Sequence, residues 1–206
     1  MKIKTDICIV GAGPIGLFAV FQAGLLKMRC QVFDALPQVG GQLSEMYNHN
    51  HIYHIEEDSH VPAQGLIDDL MEQIKPFQPR FTLGESIEEL ACHKDGSFTL
   101  STNRDTQIDC KAIVITDGFE CFDPLKHVIE NIDLCNAGLS QDDELDYQTN
   151  IPGVFTIGNS NNYPDKMKFF LSGSHEAALV SQNAFKYIYP LKNLRFKSNG
   201  LNIRLI

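Results

Sequence analysis

The six cysteines of this 206-residue chain include no Cys-x-x-Cys pair. That absence removes both a redox dithiol of this type and a zinc knuckle from consideration. Cys8, Cys30, Cys92, Cys110, Cys121 and Cys135 are widely scattered, and Cys8, Cys30 and Cys110 lie within or beside apolar runs, where buried thiols are expected. Basic charge is also short. Seventeen Lys and Arg against 26 Asp and Glu give a net charge of −9, and no basic stripe stands out, so nucleic acid is not an expected partner. No run approaches the ~18 apolar residues of a membrane span, and no membrane association is expected. The first apolar run reads as a strand of the fold rather than a signal peptide, and a cytoplasmic, reducing location is expected. What remains is 43% hydrophobic residues, ample for a packed core, in a length that allows one domain or two small ones.

The most informative stretch is Met1 to Leu43. Lys4 to Val10 is a short apolar run without Gly or Pro, as a buried parallel strand should be. It leads into Gly11-Ala12-Gly13-Pro14-Ile15-Gly16, a G-x-G-x-x-G. Phe18 to Lys27 then reads as a helix and Cys30 to Phe33 as a second strand, closed by Asp34. Gly11 permits the tight turn, Gly13 lets a pyrophosphate approach the backbone, and Gly16 lets helix and strand pack closely. The helix N-terminus offers free N–H groups and a positive dipole end to phosphates. Asp34 follows Gly16 at about the ~20-residue distance at which an acid accepts hydrogen bonds from a ribose. A glycine turn without a ligand is the alternative. Gly40-Gly41-Gln42-Leu43 follows. Its glycine pair allows close backbone approach to a flat ligand, and Gln42 offers both donor and acceptor, or is simply a surface amide.

Met46 to His60 carries His49, His51, His54 and His60. Neutral imidazoles can hold a metal, but no compact carboxylate or cysteine set accompanies them. Solvated loop histidines are the preferred reading, and no metal site is assigned. Val61 to Phe77 reads as an amphipathic helix with Leu66, Ile67, Leu70, Met71, Ile74 and Phe77 on its apolar face, Pro62 in its first turn and Pro79 beyond its end. Arg80 to Thr116 reads as three antiparallel strands. Ser86–Cys92 and Ser97–Thr102 are joined by a turn at Asp95-Gly96, and Gln107–Ile115 follows the turn at Asn103-Arg104-Asp105. Cys121 to Gln148 is irregular and acidic, with a weak helix around Leu125 to Ile132. Val154 to Ile157 is a short strand ending at Gly158-Asn159, a last helix runs from Gly173 to about Tyr187, and the tail from Leu191 is basic and weakly patterned. The fold class expected is α/β, a parallel sheet with helices plus a three-stranded antiparallel meander.

Together these stretches resemble the thioredoxin-reductase-like ferredoxin/flavodoxin–NADP reductases. The resemblance is carried by Gly11 to Leu17, Gly40 to Leu43, Asp69 to Gln73, Leu83-Gly84-Glu85, Phe122-Asp123-Pro124 and Gln148 to Gly158. It implies one FAD-binding Rossmann-like domain over 1–206, built from 1–124 and 144–190, with 125–143 as a short connection. It also implies roles for individual positions. Gly11, Gly13, Pro14, Ile15 and Gly16 would cradle the pyrophosphate, and Asp34 would take the adenosine ribose. Gly41, Gln42, Leu43 and Tyr47 would lie near the ribityl chain and flavin. Ile87 would meet the adenine through its backbone, Phe122 would pack near the isoalloxazine, and Gly158 with Asn159 would meet the ribityl hydroxyls. The last helix would aim its positive end at the flavin. A homodimer and a redox-protein or diffusible electron partner are implied as well.

The chain departs from that family in three ways. The NADPH-binding domain expected between the two FAD pieces is replaced by roughly 25 residues where ~100 or more are needed, and no second G-x-G-x-x-G occurs, so NADP is doubtful as a ligand. The family's Gly-Asp is Gly158-Asn159, which keeps a hydrogen-bonding group but loses its charge. The family's flavin-covering tail is not recognisable in Phe196 to Ile206. The expected function is an FAD-dependent oxidoreductase without a thioredoxin-reductase cysteine pair, and no catalytic side chain is assigned. The alternatives are a flavin-binding or interaction module that has lost catalysis and an NAD-dependent dehydrogenase, the latter lacking a substrate domain.

Overall fold

The computed structural model describes residues 1–41, 51–53, 60–116, 146–161, 166, 169–192, 194–195 and 204–205; for 51–53, 60–63, 194–195 and 204–205 only the backbone is described. Its centre is a five-stranded parallel sheet. β2 (Ile7–Val10), β3 (Cys30–Asp34), β6 (Arg80–Leu83), β10 (Ala112–Ile115) and β11 (Val154–Thr156) stand in the order β11-β10-β2-β3-β6. The register sets Cys8 beside Ile113 and Gln31, and Ile113 beside Val154.

The unbroken apolar runs of β2, β10 and β11 follow from burial on both faces. Alternate residues point to opposite sides. Ile7, Ile9, Val32, Val114 and Phe155 join one core, with Leu17, Val20 and Ala23 of α1 (Pro14–Leu25), Leu66, Ile67, Leu70 and Ile74 of α2 (Ala63–Ile74), and Ala177, Val180, Ala184 and Phe185 of α3 (Phe170–Ile188). Cys8, Val10, Phe33, Ile113, Ile115 and Val154 join a second core on the opposite face. That core is closed by a four-stranded sheet of order β1-β9-β8-β7, made of β1 (Lys2–Lys4), β7 (Ile87–Cys92), β8 (Phe98–Thr102) and β9 (Gln107–Cys110). Helices, parallel sheet and meander thus form three layers around two cores.

Two expected strands are each broken in two. The Lys4–Val10 run divides at Thr5-Asp6: β1 pairs in parallel with β9, while β2 enters the central sheet. The Gln107–Ile115 run divides at Lys111, so β9 completes the meander and β10 enters the central sheet. The breaks face each other, since the N–H groups of Lys111 and Ala112 both donate to the Asp6 carbonyl at 3.0 and 3.3 Å. The Asp6 side chain is buried and accepts from the Arg29 backbone N–H, Nε and Nη2 at 3.0, 3.0 and 3.1 Å. The sequence hides such a crossover because the break residues, Thr5-Asp6 and Lys111, are too few to read as a turn; only β2 and β10 are buried throughout, while β1 and β9 bury alternate residues. Arg80–Leu83, which opens the Arg80–Thr116 stretch but is not among its three expected strands, forms the parallel edge beside β3.

Several boundaries also differ. α1 begins at Pro14, four residues before the expected Phe18, because Gly13 in extended conformation caps it and Pro14 suits the first helical position. Val61 and Pro62 belong to β5 (His60–Pro62), which pairs with β4 (His51–Tyr53), so part of the histidine-rich stretch is a short antiparallel ladder rather than loop. His49 and His54 lie outside the described residues. Among the described residues, no group of three or more His, Cys, Asp or Glu could hold a metal ion. α2 keeps its expected apolar face, with Leu66, Ile67, Leu70 and Ile74 buried. α3 starts at Phe170, not Gly173. It has no side-chain cap to announce it, and its start is set by packing of Phe170 edge-on to Phe18 at 6.2 Å between ring centroids. The tail contributes a two-stranded ladder, β12 (Leu194–Arg195) with β13 (Arg204–Leu205). The connection at 125–143, including the helix expected around Leu125 to Ile132, lies outside the described residues. No described helix is long and apolar enough to cross a membrane.

Candidate functional site

The sheet order places β2, β3 and β6 on one side of a switch point and β10 and β11 on the other. Ligands of open parallel sheets bind outside the carboxyl ends of the strands at such a point. At that edge, β2 runs into Gly11–Gly16, β3 ends at Asp34, β10 leads to Thr116, and β11 leads to a single 3₁₀ turn, Gly158–Ser160.

The glycine turn is held from several sides. The Gly11 N–H donates to the Phe33 carbonyl at 2.7 Å. A Cβ on Gly16 would stand 1.9 Å from the Gly11 carbonyl oxygen, so no larger residue fits the turn as it stands. Gly13 is the opposite case: among the described residues nothing lies within 4 Å of where its Cβ would be. The turn is therefore closed behind Gly16 and open in front of Gly13, the shape a pyrophosphate requires. Asp34 is buried, with one carboxylate oxygen accepting from the Ala12 N–H at 2.6 Å and the other from the Leu36 N–H at 2.8 Å. This acid braces the turn itself, a role that the reading as a ribose acceptor did not include. Gly40 donates to the Ala12 carbonyl at 2.9 Å, and a Cβ on Gly41 would lie 3.2 Å from the Gly13 Cα, so the second glycine turn stacks on the first.

The Gly158 turn meets the same site from the other side. Gly158 has φ +64°, a left-handed conformation that favours glycine. Ile15 sits between it and α3: Cβ atoms on Gly158 and Gly173 would lie 3.4 and 2.6 Å from the Ile15 side chain. Gly173 is thus a contact glycine inside the first turn of α3 rather than its start. Asn159 is exposed. Ile87 is 2% exposed, with its side chain in the second core, which leaves only its backbone for a ligand. Gln42, Leu43, Tyr47 and Phe122 lie outside the described residues.

Three contributors escaped sequence reasoning. The Thr116 hydroxyl donates toward the Val10 and Gly11 carbonyls at 3.1 and 3.3 Å and ties the two sides of the switch point together. Lys166 and Glu176 form a buried ion pair at 2.7 Å, with side chains 3% and 1% exposed. Glu176 also accepts from the Gly158 N–H at 2.7 Å, and the Lys166 ammonium donates to the Gly158 carbonyl at 2.5 Å and the Asn161 carbonyl at 2.9 Å. The only signal for this pair was a charged residue on the inward face of α3, which is rare unless it is paired. The three buried thiols are not poised as nucleophiles. Burial raises the Cys8 pKa well above its ordinary value, and raises those of Cys30 and Cys110 to about 12, so all three stay protonated at neutral pH.

No family model matches the chain. It is 31% identical to a ferredoxin–NADP reductase of Flavobacterium johnsoniae over 323 aligned positions, spanning 95% of this chain and 92% of that protein. Identity to a ferredoxin–NADP reductase of Flavobacterium psychrophilum is 41% over 178 residues, 86% of this chain and 47% of that protein. Among solved structures, thioredoxin reductase from Streptococcus pyogenes MGAS5005 superposes with a TM-score of 0.73 at 12% identity, over 93% of this chain and 100% of that one. Thioredoxin reductase from Gloeobacter violaceus gives 0.70 at 11%, over 96% and 99%. The fold is therefore the Rossmann-like α/β fold shared with thioredoxin reductases, and the chain belongs to the ferredoxin–NADP reductase family.

Proposed function

We propose that the chain is an FAD-binding oxidoreductase that works as the flavin half of a ferredoxin–NADP reductase and exchanges electrons with a small redox protein such as ferredoxin. The observation that carries this reading is the convergence at the switch point: a turn closed behind Gly16 and open before Gly13, beside Asp34, the Gly40-Gly41 turn and the Gly158 turn. These residues fit a dinucleotide. The Gly11–Gly16 turn and the start of α1 would hold the pyrophosphate and Asp34 the adenosine ribose. The Ile87 backbone would meet the adenine, Gly41, Gln42, Leu43, Tyr47, Gly158 and Asn159 the ribityl end, and Phe122 the ring. FAD bound there would supply one- and two-electron chemistry. The protein's share is to place and shelter it: Thr116, Ile15 and the Glu176–Lys166 pair fix the two sides of the crevice.

The reading includes the loss of the pyridine-nucleotide domain. An alignment of 323 positions to a chain of 206 residues skips a domain-sized stretch of the relative, which supports it. Residues 123–148 are too few for a strand–helix–strand unit with its own phosphate turn, which needs ~30 residues or more. Asp142, Asp143, Glu144 and Asp146 would repel the extra phosphate of NADPH. A homodimer is part of the proposal, since losing a domain bares apolar surface that a monomer rarely tolerates.

Denaturing the purified protein and identifying the released chromophore tests the central claim. One FAD per chain is expected, and a colourless protein that ignores added FAD in calorimetry would overturn it. NADPH titrated into the FAD-loaded protein should show no saturation in the micromolar range and no preference over NADH, whereas a tight, NADPH-selective site would restore the full reductase reading. Light scattering should report a dimer of the 23.1 kDa chain, and a monomer at micromolar concentration refutes that part.

A further inference from the structure

We infer that Lys166 and Glu176 are positioning residues for the flavin end of the cofactor: their buried ion pair fixes the Gly158-Asn159 turn and so sets the distance between the two halves of the dinucleotide site. The inference rests on the FAD reading above and assigns it two residues outside the stretches that carry the family resemblance.

Gly158 is gripped at both of its backbone polar groups by opposite charges. Its N–H donates to Glu176 Oε2 at 2.7 Å, and its carbonyl accepts from Lys166 Nζ at 2.5 Å. The same ammonium donates to the Asn161 carbonyl at 2.9 Å, just past the end of the 3₁₀ turn, and meets both Glu176 carboxylate oxygens at 2.9 and 2.7 Å. The turn is thus bound at its start and its end to one side chain, and through it to the second turn of α3. A 3₁₀ turn of three residues has little stability of its own. Removing one partner of such a pair leaves a bare buried charge beside the turn, while neutral partners of similar shape carry no such penalty.

The pair acts on the adenosine half only at second hand, because the Gly158 turn meets the Gly11–Gly16 turn through the Ile15 side chain. Asp34 and the Gly11–Gly16 turn are held by backbone bonds to β3 and to Gly40, none of which involves Lys166 or Glu176. Loosening the ion pair should therefore weaken contacts at Gly158-Asn159 and leave those to an ADP moiety intact. A purely structural pair would weaken both alike.

The test compares FAD and ADP binding by calorimetry in the purified full chain, for wild type, K166M, E176Q and the neutral double variant K166M/E176Q. The Kd for FAD should rise about tenfold to a hundredfold in the double variant, the scale of one or two hydrogen bonds to charged groups, with the Kd for ADP changed less than about threefold. E176Q, which keeps an acceptor for the Gly158 N–H, should lose less FAD affinity than K166M. If K166M does not fold, E176Q and the double variant still decide the matter. Equal losses for FAD and ADP, or unchanged FAD affinity, would overturn the positioning role while leaving the cofactor reading standing. A wild-type chain that binds ADP but not FAD, or neither, would overturn the cofactor reading and this inference with it.

Discussion

The two sides of the crevice are built by different means. The Gly11–Gly16 turn is shaped by what is missing, side chains at Gly13 and Gly16, and is braced by backbone bonds and one carboxylate, Asp34. The Gly158 turn is shaped by what is added, an ammonium and a carboxylate withdrawn from water and closed on a single glycine. The first solution is largely local, its backbone and carboxylate bonds lying within the first 40 residues. The second joins a loop to a helix. It follows that the first half should fail through crowding and the second through unbalanced charge.

Crowding should give the largest effect. Gly16→Val places atoms where the Gly11 carbonyl already stands at 1.9 Å from a Cβ. It should abolish FAD and ADP binding together and cost about 1–3 kcal/mol or more of stability, read as a drop in Tm. Unimpaired ADP binding would mean the turn yields more easily than its contacts indicate. Asp34→Ala comes next. It leaves the Ala12 and Leu36 N–H groups without this acceptor, and binding of both ligands should weaken by about 1–3 kcal/mol, unlike the FAD-selective loss expected from the ion pair. A loss confined to FAD would erase the distinction between the halves.

Asp6 serves as a control remote from either turn. Its burial by itself would raise its pKa, but the hydrogen bonds and charge of Arg29 outweigh this and hold it below the ordinary 3.8. A depressed folded-state pKa stabilises the fold above the unfolded-state value and ceases to do so as pH falls through the folded one. Asp6→Asn should therefore lower Tm at neutral pH, with the gap to wild type closing below about pH 3.8, and the ratio of FAD to ADP affinity should not move. A gap that persists at low pH would show that the charge is not what matters. The smallest effect is expected at Asn159→Asp, which restores the charge the family carries. Because Asn159 is exposed, FAD should bind only a few-fold tighter, and weaker binding would argue against a ribityl contact there.

The same contrast explains what the sequence disclosed. The glycine turn, Asp34 and α1 were legible because strand, turn, helix and acid are contiguous and each residue type answers a local steric demand. The apolar faces of α2 and the central strands were legible from periodicity. The breaks at Thr5-Asp6 and Lys111 were not, because one or two polar residues within a run do not by themselves end a strand, and only the two-core architecture tells one half from the other. The start of α3 was misplaced since a glycine serving a contact with Ile15 looks like one serving a helix end. Lys166 and Glu176 were nearly hidden for a further reason: a glutamate on the inward face of a helix hints at a partner, but nothing in the sequence names a loop lysine ten residues earlier as that partner until the chain folds them together.

The switch-point crevice also has a history within each molecule. The meander strands β7, β8 and β9 are successive hairpin neighbours and can pair as soon as they are made. β2 and β10, by contrast, pair across nearly the whole intervening chain; the Thr116 hydroxyl and the Val10 carbonyl it reaches are 106 residues apart. Contacts of such separation form late, because loop closure must come first. The cleft between them is therefore among the last features to appear as the polypeptide folds. A dinucleotide should not accelerate collapse. It should act as a final lock, slowing unfolding far more than it speeds refolding.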